Sequence, residues 1–292
     1  MLPINARDQL HVRRIWCGEK PQGSPVLMLH GMAEDGLVFY SHGGRGLACW
    51  LAREGWQVFV PDMRGKGRSW PDINQHSDFG FHNVVTEDIP ALARLVSRLC
   101  PNQPQTWVTH SLGGPLAAAA VMRAGAQSLG VKQFVHFAAR RLISSTGFKR
   151  RMLVDLVWNR CGRIAVSIQG YLPSDALGLG PARESARCFH DGINWSTREQ
   201  WIDSEDGFDY GKKAGRRDWL RSLYFASEAD VAFGNPDDVR DFMHELGRHD
   251  GRMIVLSKAN GNVQDYSHTG ILMHPDAELD HFPQMAQWMR DG

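Results

Sequence analysis

The sequence predicts an α/β protein: a mostly parallel central sheet flanked by helices, with an inserted, mainly helical cap. Three observations predict it. Short apolar, β-rich runs alternate with helix-like stretches up to residue 137, the alternation stops between about 138 and 218, and it resumes from 219 to 292. The core is therefore expected to be discontinuous, 1–137 plus 219–292, with 138–218 leaving after one strand and returning into the next. At 292 residues, 42% of them hydrophobic, the chain is long enough for one large core or a core plus a small second domain.

In chain order, the run Leu10 to Trp16 is expected to form an extra strand beside Val26-Leu27-Met28-Leu29. That second run is apolar throughout, as suits a strand buried on both faces, and it ends in His30-Gly31-Met32. A glycine-rich loop and a helix-like Leu47 to Arg53 lead to the strand Trp56-Gln57-Val58-Phe59-Val60, which runs into Pro61-Asp62-Met63-Arg64-Gly65-Lys66-Gly67-Arg68-Ser69. A helix from about Asp88 to Leu99 precedes a strand from Gln105 to Thr109, and an Ala-rich helix follows Ser111. Gln133-Phe134-Val135-His136-Phe137 closes the first half. In the insertion, long amphipathic stretches broken by Arg, Trp and Gly replace strand alternation. Beyond it come the strand Leu223 to Ala226, a helix from about Pro236 to Leu246, the strand Met253 to Leu256 and a last helix from about Ala277 to Met289.

Composition excludes more than it selects. A formal net charge of +1 with 22% charged residues gives no electrostatic footprint for nucleic acid. The first residues lack the apolar core of a secretory signal, and no run approaches the roughly 20 apolar residues of a membrane span. A cytoplasmic protein is expected. Cys17, Cys49, Cys100, Cys161 and Cys188 have no metal-like spacing and read as free, buried thiols in a reducing compartment. No metal site or cofactor is expected.

The chemistry concentrates at Thr109-His110-Ser111-Leu112-Gly113-Gly114, where a strand meets a helix at a serine flanked by small residues. A serine on such a turn stands clear of its neighbours, and the turn lends a backbone N–H to an oxyanion. Serine alone is a poor nucleophile, so a base and an orienting acid must come from elsewhere. Reactive groups in such sheets gather beyond the carboxyl ends of strands. Those ends carry His30-Gly31-Met32, the segment Asp62 to Ser69, Ser111, then Ser227-Glu228-Ala229-Asp230, and a loop containing Tyr266-Ser267-His268-Thr269-Gly270.

On these residues the chain resembles the α/β-hydrolase superfamily across nearly the whole core. The elbow, the His30-Gly31 step and Asp62-x-Arg64-Gly65-x-Gly67-x-Ser69 match in type and order, and Ser111, Asp230, His268 follow the superfamily's serine, acid, histidine order. The resemblance implies a triad: Ser111 attacks a carbonyl, His268 takes and returns the proton, and Asp230 holds the imidazole. It also implies an oxyanion hole made by the backbone N–H groups of Met32 and Leu112. Within the insertion, Gly170-Tyr171-Leu172-Pro173 with Leu177-Gly178-Leu179-Gly180 resembles a group of bacterial α/β hydrolases without an assigned substrate.

Each role has a plainer rival. Ser111 is also a fair helix N-cap. Thr109 stands where glycine is commoner, and its branched Cβ is expected to crowd the turn. His110 is expected to point away from the site. His244, His249, His274 and His281 are rival bases, His274 the nearest, and Glu228, Asp237 and Asp238 are rival acids, the last two suited to a helix first turn. His30 and the Asp62 to Ser69 segment are expected to clamp loops. Trp158, Trp195 and Trp201 either pack the core or line an acyl pocket. Arg140-Arg141 and Lys149-Arg150-Arg151 either form a solvated helix face or attract anionic groups.

The function expected is hydrolysis of a small-molecule carboxylic ester with an apolar group, by a carboxylesterase- or lipase-like serine enzyme. An acyltransferase or thioesterase would use the same groups, and a non-catalytic ligand-binding relative is the reading from another class. The aspartate-nucleophile reactions of this architecture, dehalogenation and epoxide hydrolysis, are disfavoured by Ser111.

Overall fold

Seven strands form the main sheet in the computed structural model, which describes residues 1–144, 160–215 and 218–292. They are β1 (Val12–Ile15), β2 (Pro25–Leu29), β3 (Gln57–Pro61), β4 (Gln105–His110), β5 (Val131–Phe137), β6 (Arg221–Ser227) and β7 (Gly251–Leu256). Their spatial order is β7-β6-β5-β4-β2-β3-β1, and every neighbouring pair is parallel except β1 on β3. The order reverses around β2 and β4, so their carboxyl ends open onto a crevice. This is the doubly wound α/β architecture expected.

The first strand does not lie where the sequence suggested. Both edges of β2 are occupied, by β3 and β4, and β1 pairs antiparallel with β3 at the sheet edge, Val12 opposite Pro61 and Ile15 opposite Val58. The reason is chemical. All five residues of β2 are buried, whereas Val12-Arg13-Arg14-Ile15 is only half-buried and its arginines tolerate an edge.

Alternation along the strands divides the core into two layers. Leu27, Leu29, Phe59, Trp107 and Phe134 face one side, against α2 (Ile89–Leu99), α3 (Gly113–Ala124) and α5 (Pro236–Glu245). Val26, Met28, Val58, Val108, Val135 and Phe225 face the other, against α1 (Leu47–Arg53) and α6 (His281–Arg290). Asn235 starts α5 by accepting from the N–H groups of Asp237 and Asp238, with Pro236 at the first helical position. The last helix starts at His281, later than the sequence suggested, because Pro275–Glu278 forms a separate short turn.

Between β5 and β6 the described residues include a helix at Gly162–Gln169, an antiparallel pair of Tyr171–Leu172 with Glu184–Ser185, and α4 (Ala186–Thr197). This segment is tied to the core by buried charge. Glu184 Oε1 accepts from Lys66 Nζ at 2.5 Å and from the Ala33 N–H at 2.6 Å. Arg141 is fully used: it pairs with Glu245 and donates to the carbonyls of Trp195, Arg198 and Glu199. Arg140 and Arg141 are both buried, so a solvated helix face is excluded for them; Lys149, Arg150, Arg151 and Trp158 lie outside the described residues. Trp195 and Trp201 pack on each other, Phe81, Tyr210 and Phe242, in the core. Among the five cysteines, Cys17 and Cys161 are exposed, Cys49 is half-buried and only Cys100 and Cys188 are buried; all are free thiols. Among the described residues, no helix is long and apolar enough to cross a membrane.

The Lys66–Glu184 pair sets an expected result. Lys66→Met leaves a buried carboxylate without its cation and should destabilise the protein by about 3–5 kcal/mol in denaturant unfolding. A loss under about 1 kcal/mol would show that the pair contributes little.

Candidate active site

Ser111 sits at the end of β4 with φ +51°, a left-handed conformation rare for a residue with a Cβ. Two glycines make the turn possible. A Cβ on Gly113 would lie 2.3 Å from the Leu29 carbonyl oxygen, and one on Gly114 2.6 Å from Ala139 Cβ. The strained serine is also pinned, its N–H donating to the Phe137 carbonyl at 3.0 Å. Leu112, not Ser111, is the residue that caps α3, with no side-chain capping bond, so the N-cap reading of Ser111 fails. Thr109 is accommodated without crowding: its side chain is hydrogen-bonded to His136 Nδ1 on β5 at 2.7 Å, in space left by Gly114.

Met32 and Leu112 line the same cavity as the serine. Gly31 packs so closely on the elbow that a Cβ there would be 2.9 Å from Ser111 Cβ and 3.2 Å from the Leu112 nitrogen. This brings Met32 to the same cavity wall as Leu112, and among the described residues neither N–H has an acceptor. His30 clamps this strand end. Its Nδ1 donates to the Gly31 carbonyl and its Nε2 accepts from the Met63 N–H, a neutral tautomer consistent with burial, and then Lys66, pushing it down to about 4. Asp62 accepts from the Gly36 and Arg68 N–H groups, which fixes the turn that follows β3.

Gly31→Ala tests the close approach. The added methyl meets a backbone nitrogen and a side-chain stem that cannot rotate away, so Met32 and the elbow must separate by several tenths of an ångström. Turnover of an activated ester should fall about 10²-fold in protein that still folds, with stability lowered by about 1–3 kcal/mol through the overpacking, and unchanged kinetics would show that the approach is not needed.

His268 and Asp230 meet across two loops. His268 Nδ1 is 2.5 Å from Asp230 Oδ2, and Asp230 Oδ1 accepts from the Phe233 N–H at 3.2 Å. Burial pushes the Asp230 carboxyl up, but the charge and hydrogen bond of His268 outweigh it, so its pKa lies below the usual carboxylate value. Gly234 belongs to this arrangement, since a Cβ there would be 2.6 Å from Asp230 Oδ2. The rivals lie elsewhere. His274 is exposed and caps a short turn through Asp276, His281 is buried against the Ile271 carbonyl, and His249 is hydrogen-bonded to Tyr224. Glu228 and Asp237 are exposed, and Asp238 is held by Asn235 and Ser144.

His110 departs from expectation. It is buried against the site, its ring 4.5 Å from that of His268. Nδ1 faces Glu34 Oε2 at 2.9 Å and Nε2 faces the His268 carbonyl at 3.0 Å. Both partners are acceptors, so both ring nitrogens must donate and His110 is an imidazolium. Burial alone would lower its pKa, but the Glu34 carboxylate raises it above the ordinary value. Burial pushes Glu34 up, while the charge and hydrogen bond of His110 outweigh it and hold the carboxyl down at about 2. Sequence reasoning missed Glu34 altogether; its one signal was its place in the loop after β2.

Ser111, His268, Met32 and Leu112 line one cavity of about 280 Å³, together with Glu34, Arg140 and the apolar Ile143, Leu179, Pro181 and Phe233. Glu34, His110 and His268 approach metal-site spacing, but both nitrogens of His110 are committed, which leaves no three free donors there.

The model of the α/β-hydrolase fold family matches residues 24–157. With the sheet order and the elbow, that decides the architecture. The chain has the α/β-hydrolase fold. Solved α/β-hydrolase structures superpose over nearly its whole length. A thermophilic esterase from Thermogutta terrifontis is 15% identical, with 97% of this chain and 94% of that one covered and a TM-score of 0.55. The carboxylesterase CesB from Bacillus subtilis is 14% identical, covering 98% and 90%, with a TM-score of 0.56. A bromoperoxidase from Bacillus anthracis is 14% identical, covering 97% and 96%, at 0.59. At such identities the likeness concerns the α/β-hydrolase fold and not the reaction. No curated protein matches the sequence.

Proposed function

We propose that this α/β hydrolase cleaves a carboxylic ester through an acyl-enzyme formed on Ser111. The observation that carries the reading is the Asp230–His268 hydrogen bond beside a cavity that also holds a strained serine and two unpaired backbone N–H groups. Ser111 Oγ adds to the ester carbonyl carbon while its proton passes to His268 Nε2. The tetrahedral oxyanion lies between the Met32 and Leu112 N–H groups, which need no reorganisation to receive it. The carbon–oxygen bond to the alcohol breaks, and the alcohol leaves with the proton from His268. Water, deprotonated by the same imidazole, then releases the acid and regenerates Ser111. Residues 138–218 act as a cap in this reading, because Leu179, Gly180, Pro181, Gly192 and Ser196 complete the cavity wall.

A fluorophosphonate probe tests it. The native protein should form one stoichiometric adduct, located on Ser111 by peptide mass analysis, and Ser111→Ala should form none. A folded native protein that is not labelled sinks the proposal. Labelling without turnover of any short or medium acyl ester would move the reading to acyl transfer or thioester cleavage.

A further inference from the structure

We infer that the site selects an ester whose acyl group ends in a carboxylate, and that Arg140 is the residue that recognises it. The inference rests on the ester reading above and names its substrate class.

Arg140 and Arg141 are neighbours in sequence with opposite circumstances. Every arm of Arg141 is occupied, by Glu245 and three carbonyls. Arg140 is 7% exposed, yet its guanidinium makes a single hydrogen bond, from Nε to the Phe233 carbonyl at 3.0 Å. Nη1 and Nη2 have no hydrogen-bonding partner among the described residues, and no ion pair forms. Asp230 and Asp238 influence it only through space, each being hydrogen-bonded to other groups. A buried guanidinium is ordinarily paired, because desolvating it without partners is costly. Arg140 lines the cavity that holds Ser111 and His268.

The cavity narrows the choice of anion. Arg140 is the one lysine or arginine among its described lining residues, and the other charged group besides the histidine, Glu34, is already neutralised by His110. One planar fork with two free ends matches the two coplanar oxygens of a carboxylate, whereas a phosphate dianion would call for a second cation. Met32, Ile143 and Leu179 line the same space and suit a short methylene chain. A hemiester of a short dicarboxylic acid meets all three conditions.

The test compares mono-p-nitrophenyl glutarate with p-nitrophenyl pentanoate, which share chain length and leaving group and differ in the terminal carboxylate. In the native enzyme kcat/KM should favour the hemiester by about 10–100-fold. Arg140→Met should reduce that ratio at least about 10-fold, and Arg140→Lys, which keeps charge without the fork, should give an intermediate ratio. Equal losses for both esters would assign Arg140 a purely structural role as a cation balancing Asp230 and Asp238, and would overturn the inference. So would a native preference for the neutral ester. Calorimetric titration of Ser111→Ala with monomethyl glutarate separates this inference from the ester reading. Saturable binding, weakened about 10-fold or more by adding Arg140→Met, supports carboxylate recognition even if Ser111 proves unreactive. Fluorophosphonate labelling with no such binding leaves the ester reading standing and this one refuted. Arg140→Lys also covers the case in which Arg140→Met fails to melt cooperatively.

Discussion

His268→Ala should lower ester turnover by about 10⁵–10⁶-fold, because serine and histidine of such a set act as a unit and removing either costs about as much as removing both. Asp230→Asn should cost less, on the order of 10⁴-fold, since an amide still holds the ring but favours the wrong tautomer. His274→Ala is the control. His274 lies six residues away in sequence, but it is exposed and engaged with Asp276, so kcat/KM should stay within about twofold. Steady-state kinetics on one activated ester decides the matter. If His274→Ala abolished turnover and His268→Ala did not, the base would have been assigned to the wrong residue.

Glu34→Gln should cost about 3–5 kcal/mol of stability, although glutamine can still accept from the Gly31 N–H and from His110. What is lost is the charge that compensates a buried imidazolium. Either His110 stays charged beside a neutral amide, or it gives up its proton and its bare Nδ1 accepts from the amide N–H at 34, which takes away the acceptor that Glu34 Oε2 offers the Gly31 N–H. The sign of the pH dependence follows from the shifts. Glu34 is held below its ordinary carboxyl value, at about 2, so its contribution is present above about 4.5 and is lost as pH falls toward 2. His110 is raised above 6.5, so its contribution is complete below 6.5 and is lost as pH rises through the raised value. Native stability, measured by urea unfolding across pH, should therefore fall away on both sides of a window between about 4.5 and the raised His110 value. Both limbs should flatten in Glu34→Gln. Superimposable curves for the two proteins would refute the buried ion pair. Because His110 donates to the backbone of His268, turnover should also fall in Glu34→Gln even where the variant is fully folded.

Much of the fold was legible from residues 1–137 and 219–292, because strands buried on both faces must be apolar without interruption and their loops must carry the polar residues. Val26 to Leu29 shows this. The edge strand was misplaced for the complementary reason: Val12-Arg13-Arg14-Ile15 announces a strand, but which neighbour it pairs with depends on edges that distant segments have already taken. At the site, Ser111 declared itself through glycines that a tight turn requires. Thr109 was read as a source of crowding because its partner, His136, lies on the next strand and 27 positions away. His110 was read as pointing elsewhere since a one-residue step from the serine says nothing about a carboxylate 76 positions upstream.

By itself the sequence determined the sheet's strands and the elbow, because these follow from local periodicity and from turn chemistry, while the resemblance to the superfamily singled out Asp230 and His268 among the polar residues at strand ends. Tertiary structure alone decided which charges are satisfied. Arg140 and Arg141 are indistinguishable as letters, yet one is saturated by Glu245 and three carbonyls while the other lines the cavity of Ser111 with Nη1 and Nη2 unpaired among the described residues. The physical reason is that a charge acquires its role from desolvation and from partners brought in by the fold, and neither is a property of neighbouring residues in the chain.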